Sequence, residues 1–401
     1  MNIGMVVDNE LDGDVRVNNE AQSLAENGFG VFILCLGKPG QVSEKKRNQY
    51  TIVRLSIGKN WRNKTFFFAN TIPVFHMQWK RFLIRFIKNY NIDILHAHDL
   101  YMAKSAYQAA KSTGIRWVLD LHENFPAAVY GYRWALKFPN RIFTRPQAWK
   151  KFEKNYLHKA DSLIVLSEYF KKDLLKKHPD LDASKIYIYS NVPDTDKLMQ
   201  YPINKDILPV KQNSKILFYF GGIAKRRGIF TLIEAHKRLL HKGRDVKLLL
   251  IGPVDKAERD NFDKAIRKGQ LNGSIIHYAW KDISLLPSYI TASDICFSPI
   301  VKNAQHDSGI ANKVFQYLLF ESPIIVSNCT PQKHLVENVA CGLVFESENV
   351  EDLQDNIEYL LDHPEEAKKM GIRGKEIVQN KYNLKIMRKN LIRMYEKLNA
   401  N

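Results

Sequence analysis

Residues 305–327 read QHDSGIANKVFQYLLFESPIIVS, and the stretch passes from a polar turn through an amphipathic helix into a buried strand. Val314, Phe315, Leu318 and Leu319 fall on one face at helical spacing. Ser322-Pro323 then stops the helix, and Ile324, Ile325 and Val326 form a short β-branched core strand. Asp307, Ser308 and Gly309 are expected to supply capping oxygens and close backbone approach just before the helix. Its first free N–H groups would then point at an anion, with Lys313 in the first turn. Turn, helix and strand in that order make a unit able to hold a ligand.

The same alternation runs outward in both directions. Strands are expected at 1–7, 31–36, 92–96, 117–121, 162–166 and 186–189, with helical patterns between them, and a second series starts at Lys215–Phe220 and continues through 246–252, 274–279 and 295–300. Strands alternating with helices argue for an α/β chain of parallel sheets covered on both faces. Between the two series, 195–213 loses periodicity, carries two prolines and reads as a linker. The expected organisation is therefore a first doubly wound domain over 1–194, the linker, a second over 214–380, and an amphipathic helix within 381–401. Two such domains in tandem imply a cleft at the carboxyl ends of their strands.

At 401 residues and 45% hydrophobic content, the chain exceeds the usual single core and can fill two. Cys35, Cys296, Cys329 and Cys341 have no C-x-x-C spacing, which suits reduced, buried thiols in a cytoplasmic protein. Acids at Asp8 and Glu10 in the opening MNIGMVVDNE do not fit a secretory leader, and no window approaches a membrane span. The net charge of +18 is uneven. Residues 51–150 hold sixteen Lys and Arg against four acids, and bases alternate there with aromatics in WRNKTFFF from Trp61, HMQWKRFLIRFIKNY from His76 and YRWALKFPNRIF from Tyr132. One reading seats these rings and bases, Lys80, Arg81, Arg85 and Lys88 among them, on an anionic membrane surface; the other is a solvated face whose helix packs inward. Nucleic acid is not an expected partner, because no nucleic-acid fold signature accompanies the charge.

Three further segments carry chemistry. In GGIAKRRGI, Gly221 and Gly222 let backbone approach a ligand and Lys225, Arg226 and Arg227 supply cations before a helix, which suits phosphate. DILHAHD places His98 and Asp99 at a strand end, and VLDLHENF does the same for Asp120, His122 and Glu123; both ends should face the cleft. Histidines and acids together invite a metal, but their spacing matches no standard site, and no metal is expected. Gly13, Asp14 and Arg16 occupy the first loop and helix start, Gly252-Pro253 ends a strand, and Trp280 follows another, where it stacks on a nucleobase or fills the core.

These segments resemble motifs of the family 4 (group 1) glycosyltransferases, and the layout resembles their GT-B fold of two Rossmann-like domains, weakest over 41–91. Residues 305–327 resemble the family's donor-binding motif, commonly NK-x-FEY followed by a G-x-PVI strand. The usual pair of glutamates, eight positions apart, falls on Ser308 and Gln316, so this pair is degenerate and both carboxylates are missing. GGIAKRRGI resembles the family's G-R-L-x(3)-K-G segment, with Gly222 at the arginine position and Arg227 at the lysine position. The resemblance implies that Gly221, Gly222, Arg226, Arg227, Gly252, Ser308, Gly309, Lys313 and Gln316 bind the donor, Gln316 at its ribose. It implies that His122 lies beside the transferred sugar, with Asp99 and Glu123 as further catalytic candidates. Gly13, Asp14 and Arg16 would form the first loop toward donor phosphates and acceptor, although the family's double glycine is absent.

The expected function is transfer of a sugar from a nucleotide-diphosphate donor to a hydroxyl of a glycan or lipid-linked acceptor, in surface polysaccharide or glycoconjugate biosynthesis. The resemblance implies a retaining, metal-independent enzyme with no cofactor beyond its nucleotide-sugar co-substrate, working in the cytoplasm at the inner face of the membrane. A sugar-nucleotide 2-epimerase, or a catalytically degenerate partner in a glycan-assembly complex, is the alternative. Product analysis with donor alone separates epimerase from transferase.

Overall fold

The computed structural model describes residues 1–400 except 39, 58, 70, 71, 132–137, 139–141, 143, 205, 209–213, 269, 270 and 272. The chain divides into two compact units, Met1–Ser190 together with the chain from Met387 onward, and Asn191–Ile386.

The first unit holds β1 (Asn2–Val6), β2 (Gly30–Leu36), β3 (Glu44–Arg47), β4 (Tyr50–Leu55), β5 (Ile94–His98), β6 (Arg116–Leu121), β7 (Ser162–Val165) and β8 (Ile186–Ile188). Their order in the sheet is β3-β4-β2-β1-β5-β6-β7-β8, parallel throughout except where β3 runs against β4. β5 is buried at every position and β6 at all but the first, as strands covered on both faces must be. β1 pairs with β2 on one side and β5 on the other. Connections therefore leave in both directions, and the carboxyl ends of β1 and β5 bound the crevice where doubly wound sheets bind ligands.

The second unit repeats the plan with β9 (Lys215–Phe220), β10 (Val246–Ile251), β11 (Ile275–Tyr278), β12 (Ile295–Ser298), β13 (Ile324–Ser327) and β14 (Gly342–Phe345), in the order β11-β10-β9-β12-β13-β14 and all parallel. Its switch point lies between β9 and β12.

Several expectations need correction. The 195–213 stretch begins with a helix, Thr195–Met199, capped by the Asp194 carboxylate on the Lys197 N–H at 3.1 Å. Ser288 then ties the stretch to the second unit, accepting from the Asn204 N–H at 2.9 Å and donating to the Pro202 carbonyl at 3.3 Å. A five-residue helix is too short to show periodicity. On helix Val74–Asn89, Phe75, Trp79, Phe86 and Ile87 are buried, while Arg81, Arg85 and Lys88 are exposed and Lys80 half-buried, and Val74 and Met77 near the helix start are exposed as well. The inward-packing reading holds for these rings. Most of the YRWALKFPNRIF segment lies outside the described residues.

All four cysteines are free and buried, and burial pushes each thiol up. Among the described residues no helix is long and apolar enough to cross a membrane.

Candidate functional site

In the second unit, the turns after β9 and β10 are pressed together. The Gly221 N–H donates to the Ile251 carbonyl at 2.8 Å. Gly221 and Gly252 have φ of 133° and 151°, and a Cβ on Gly252 would fall 2.0 Å from the Gly221 carbonyl oxygen, so only glycine fits. Helix Asn312–Leu319 is fastened beside this turn, because Tyr317 Oη accepts from the Phe220 N–H at 2.8 Å. Its first turn carries Lys313, whose Nζ sits 3.8 Å from the centroid of the Tyr219 ring. A Cβ on Gly221 would lie 2.8 Å from that ammonium. Tyr219 is itself fixed by donating to the Gly222 carbonyl at 2.9 Å.

Burial, and after it the Arg227 charge, hold the Lys313 ammonium well below the usual lysine range. No carboxylate acts on it among the described residues. Lys313 and Arg227, a bare glycine turn and a helix start make an arrangement able to receive an anion, which no carboxylate among the described residues supplies. Arg226 is exposed and Arg227 half-buried on the turn Lys225–Arg227.

The expected cap of this helix is overturned. Ser308 and Asp307 belong to a separate 3₁₀ turn, His306–Ser308, and the helix starts at Asn312 after Ala311, with no side-chain cap. The Asp307 carboxylate instead accepts from the Thr330 N–H at 2.6 Å, at the start of helix Thr330–Val339, and the Ser308 hydroxyl donates to the Gln305 carbonyl at 2.6 Å. Residues 309–311 form an extended link between the turn and the helix, too long for either oxygen to reach back. Gly309 is extended, with φ of −167°. Gln316 is buried in the helix. Trp280, directly beyond β11 and its following residue, is 73% exposed, which removes the core reading.

In the first unit, the ends of β5 and β6 carry a buried network of charges. His98 and Asp120 are neighbours in register, and the Asp120 carboxylate is its centre. It receives Arg16 Nε at 3.0 Å and Nη2 at 2.7 Å, lies 3.2 Å from His98 Nδ1 and 2.9 Å from His122 Nε2. Burial opposes its ionisation, but Arg16 and His122 prevail and hold it well below the usual carboxylate range. Burial likewise works against a charge on His122, yet Asp99 and Asp120 raise it to about 9. His122 is therefore an imidazolium at neutral pH. Its Nδ1 stands 3.9 Å from the Asp99 carboxylate, and both side chains are about one-fifth exposed.

Asp99 holds φ of 71°, a costly backbone for a side chain. It is pinned by its own N–H donating to the Asp120 carbonyl at 2.8 Å and by Tyr101 donating to its carboxylate at 2.9 Å. Glu123 is half-buried in the bend beyond.

Sequence reasoning placed Arg16 in the first loop toward ligand. The structure instead buries it, with Nη1 on the Tyr189 carbonyl at 2.7 Å and the guanidinium over the Tyr189 ring at 4.9 Å. Asp14 caps helix Val15–Ala25 through the Val17 N–H at 3.2 Å and accepts from Asn9 at 2.9 Å. Gly13 turns the loop with φ of 83°. One atom each from Glu20, His96, His98 and Asp120 lies within 4.8 Å of the others, a spacing that suits a cation. Arg16 stands 3.1 Å from Glu20 and hydrogen-bonds Asp120, so a fixed positive charge already serves these acids.

A cavity of about 530 Å³ opens at the end of β1, lined among others by Asp8, Glu10, Asp12, Asp14 and Arg62. Arg62 donates twice to the buried Asp8 at 2.6 and 2.8 Å, and burial outweighs this pairing to raise Asp8 to about 6. Sequence reasoning missed this pair, as well as Glu20 and Tyr219. Arg62 lies on helix Lys59–Phe67, and a lone arginine there gives no sign in the sequence of its partner 54 positions away.

Two parallel Rossmann-like sheets in tandem, each with its polar cluster at the switch point, define the GT-B architecture of glycosyltransferases. Solved structures of this architecture match the whole chain. Sucrose-phosphate synthase from Thermosynechococcus elongatus covers 100% of this chain and 99% of its own, with a TM-score of 0.83 at 19% identity. Anabaena HepE, in complex with UDP and glucose, covers 100% of both at TM-score 0.71 and 12% identity. Residues 14–197 match the family described as Glycosyltransferase Family 4, and residues 200–377 match Glycosyl transferases group 1. The chain belongs to this family and is a glycosyltransferase. Among curated relatives, alpha-D-kanosaminyltransferase of Streptomyces kanamyceticus is 21% identical over 76% of this chain and 77% of its own length. The capsular polysaccharide biosynthesis glycosyltransferase CapM of Staphylococcus aureus is 27% identical over 45% of each. Both family descriptions and both of these curated relatives are named as transferases, so the 2-epimerase alternative is not favoured.

Proposed function

We propose that this glycosyltransferase takes its sugar from a nucleoside-diphosphate donor held in the second unit. The observation that carries the reading is the Lys313 ammonium, buried against Gly221 and Tyr219 beside Arg227, with no carboxylate among the described residues to neutralise it. As the glycosidic bond breaks, the leaving diphosphate gathers charge, and Arg227, Lys313 and the first N–H groups of helix Asn312–Leu319 stabilise it. Fixed cations do this without a metal, so transfer is expected to survive chelation. Gln316 reaches the ribose, and the exposed Trp280 offers a face to the base. UDP in the HepE complex supports a nucleotide of this kind.

The acceptor is a glycan or lipid-linked glycan hydroxyl entering the first unit by the cavity at the end of β1, whose volume falls within the roughly 300–1,000 Å³ of small-molecule sites. His122 contacts the transferred sugar as a cation, a donor rather than a base, and Asp99 and Glu123 face the acceptor. Retention of configuration and a role in surface polysaccharide assembly follow the family and the likeness to CapM. The exposed Arg81, Arg85 and Lys88 dock the first unit on the anionic inner face of the membrane.

Thermal unfolding with a panel of nucleoside diphosphates tests the donor site. A ligand at 100 times its Kd stabilises by about 2.7 kcal/mol; no stabilisation by any member of the panel contradicts the proposal.

A further inference from the structure

Glu20 lies beneath the Asp120–His122 pair, and nothing in the proposed transfer uses it. Its side chain is wholly buried, and neither carboxyl oxygen has a hydrogen-bond partner among the described residues. Arg16 stands 3.1 Å away on the same helix but spends Nε and Nη2 on Asp120 and Nη1 on the Tyr189 carbonyl. Glu20 therefore receives nearby charge without a hydrogen bond. On β5, the equally buried His96 has an unpartnered Nε2, 3.8 Å from the Glu20 carboxyl. The other ring nitrogen, Nδ1, is 2.8 Å from Tyr395 Oη on the C-terminal helix Leu384–Ala400. The His96 ring stacks on His98 at 4.2 Å.

Two orphaned atoms facing each other in a fully buried site are satisfied by one proton between them. The surrounding charges say where it belongs. Arg16, shared between Asp120 and Glu20, and His122, between Asp120 and Asp99, are two positive charges facing three carboxyls, while His96, His98, Tyr189 and Tyr395 are neutral; one carboxyl is in excess, and Glu20 is the one that accepts no hydrogen bond among the described residues. An ionised, unpaired carboxylate in such a site is the costlier state. The wider field agrees: burial and then Asp120 raise Glu20 well above the usual carboxylate range, and burial and then His98 keep His96 neutral.

We propose that Glu20 is a positioning residue, a neutral carboxylic acid that donates its proton to His96 Nε2, while His96 Nδ1–H donates to the Tyr395 hydroxyl. A small turn of the carboxyl closes the 3.8 Å gap. In this state Glu20 does not compete for Arg16, whose fork stays on Asp120, and Asp120 keeps His122 oriented and charged. Tyr395 ties that arrangement to the C-terminal helix. The proposal goes beyond the donor reading and does not depend on it.

Infrared difference spectroscopy of the whole chain at pH 8 tests this, above the values of about 7 and about 6 to which burial raises Glu153 and Asp8. The parent is expected to show the carbonyl band of a protonated carboxyl, lost in Glu20→Gln and shifted by ¹³C-glutamate labelling. Labelling of the parent decides the matter even if the variant does not fold, and absence of the band overturns the proposal. In ¹⁵N imidazole spectra, His122 should titrate within about 0.3 of a unit of the parent in Glu20→Gln, because one neutral group replaces another. A fall of about one unit would mean that a carboxylate had been removed, and contradicts it. Tyr395→Phe should move the carboxyl band; an unmoved band refutes the link to the C-terminal helix.

Discussion

Replacing Lys313 by methionine separates binding from folding more sharply than any other change in the molecule. The parent ammonium is buried beside Arg227 and, among the described residues, is compensated by the Tyr219 ring alone. Losing the desolvated cation–π contact costs about 2 kcal/mol, and relieving a poorly compensated buried charge returns a similar amount. Methionine keeps the apolar stem, so the unfolding midpoint should hold or rise. A nucleoside diphosphate, by contrast, loses a charge-assisted hydrogen bond worth about 1.5–3 kcal/mol, or roughly 10- to 150-fold in Kd.

The depressed lysine also sets a direction with pH. The native state binds its proton less tightly than the unfolded chain, so it destabilises fully at low pH, and stability recovers as pH rises from the native value toward about 10.4. An arriving diphosphate reverses the depression and draws a proton onto Lys313. Calorimetric titration with UDP and GDP in buffers of differing ionisation enthalpy, at rising pH, should show proton uptake in the parent and none from this position in Lys313→Met. Unchanged affinity in the variant, or a lost fold, refutes the reasoning.

Asp120→Asn removes the carboxylate that Arg16 hydrogen-bonds in the buried network and should cost about 3–5 kcal/mol in urea unfolding. His122, raised to about 9 from an unfolded value of about 6.5, contributes about 3 kcal/mol that is fully present below pH 6.5 and lost as pH rises through 9. His122→Gln should flatten that limb of the stability profile, and an unchanged limb would place the imidazolium elsewhere. Changing Lys80, Arg81, Arg85 and Lys88 to glutamine should reduce co-sedimentation with anionic vesicles, and in the parent salt should do the same, since the attraction decays over about 8 Å at physiological ionic strength; equal sedimentation rejects the membrane surface. Gln316→Glu should tighten nucleotide binding by about 1 kcal/mol if it meets the ribose, and should do nothing for the 2′-deoxy nucleotide.

Much of the fold was legible because buried parallel strands are written as apolar runs: ILFYF in β9, KLLLI in β10 and IIV in β13 leave little choice. β3 was not, since all four of its residues, Glu44 to Arg47, are exposed and charged; an edge strand protected by charge carries no hydrophobic signal. The glycine turn and Lys313 could be named from the sequence, but not Tyr219, whose position in an apolar strand hides its role under the ammonium. Arg16 was misplaced for a similar reason. Its neighbours say helix start, and only the register of β5 against β6 brings Asp120 beneath it. Ser308 and Asp307 looked like caps because polar residues before a helix usually are; the three-residue extended link to Asn312 could not be foreseen from composition.

The central claim, a nucleoside-diphosphate sugar donor held by the second unit, is tested most directly by following nucleoside diphosphate release from a panel of nucleotide sugars, with and without glycan acceptors, in the parent and in a protein carrying Arg227→Ala and Lys313→Met. Release that requires an acceptor, survives chelation and is lost in the double variant is the expected result. Conversion of the donor without any acceptor, or equal release by parent and variant, would contradict it.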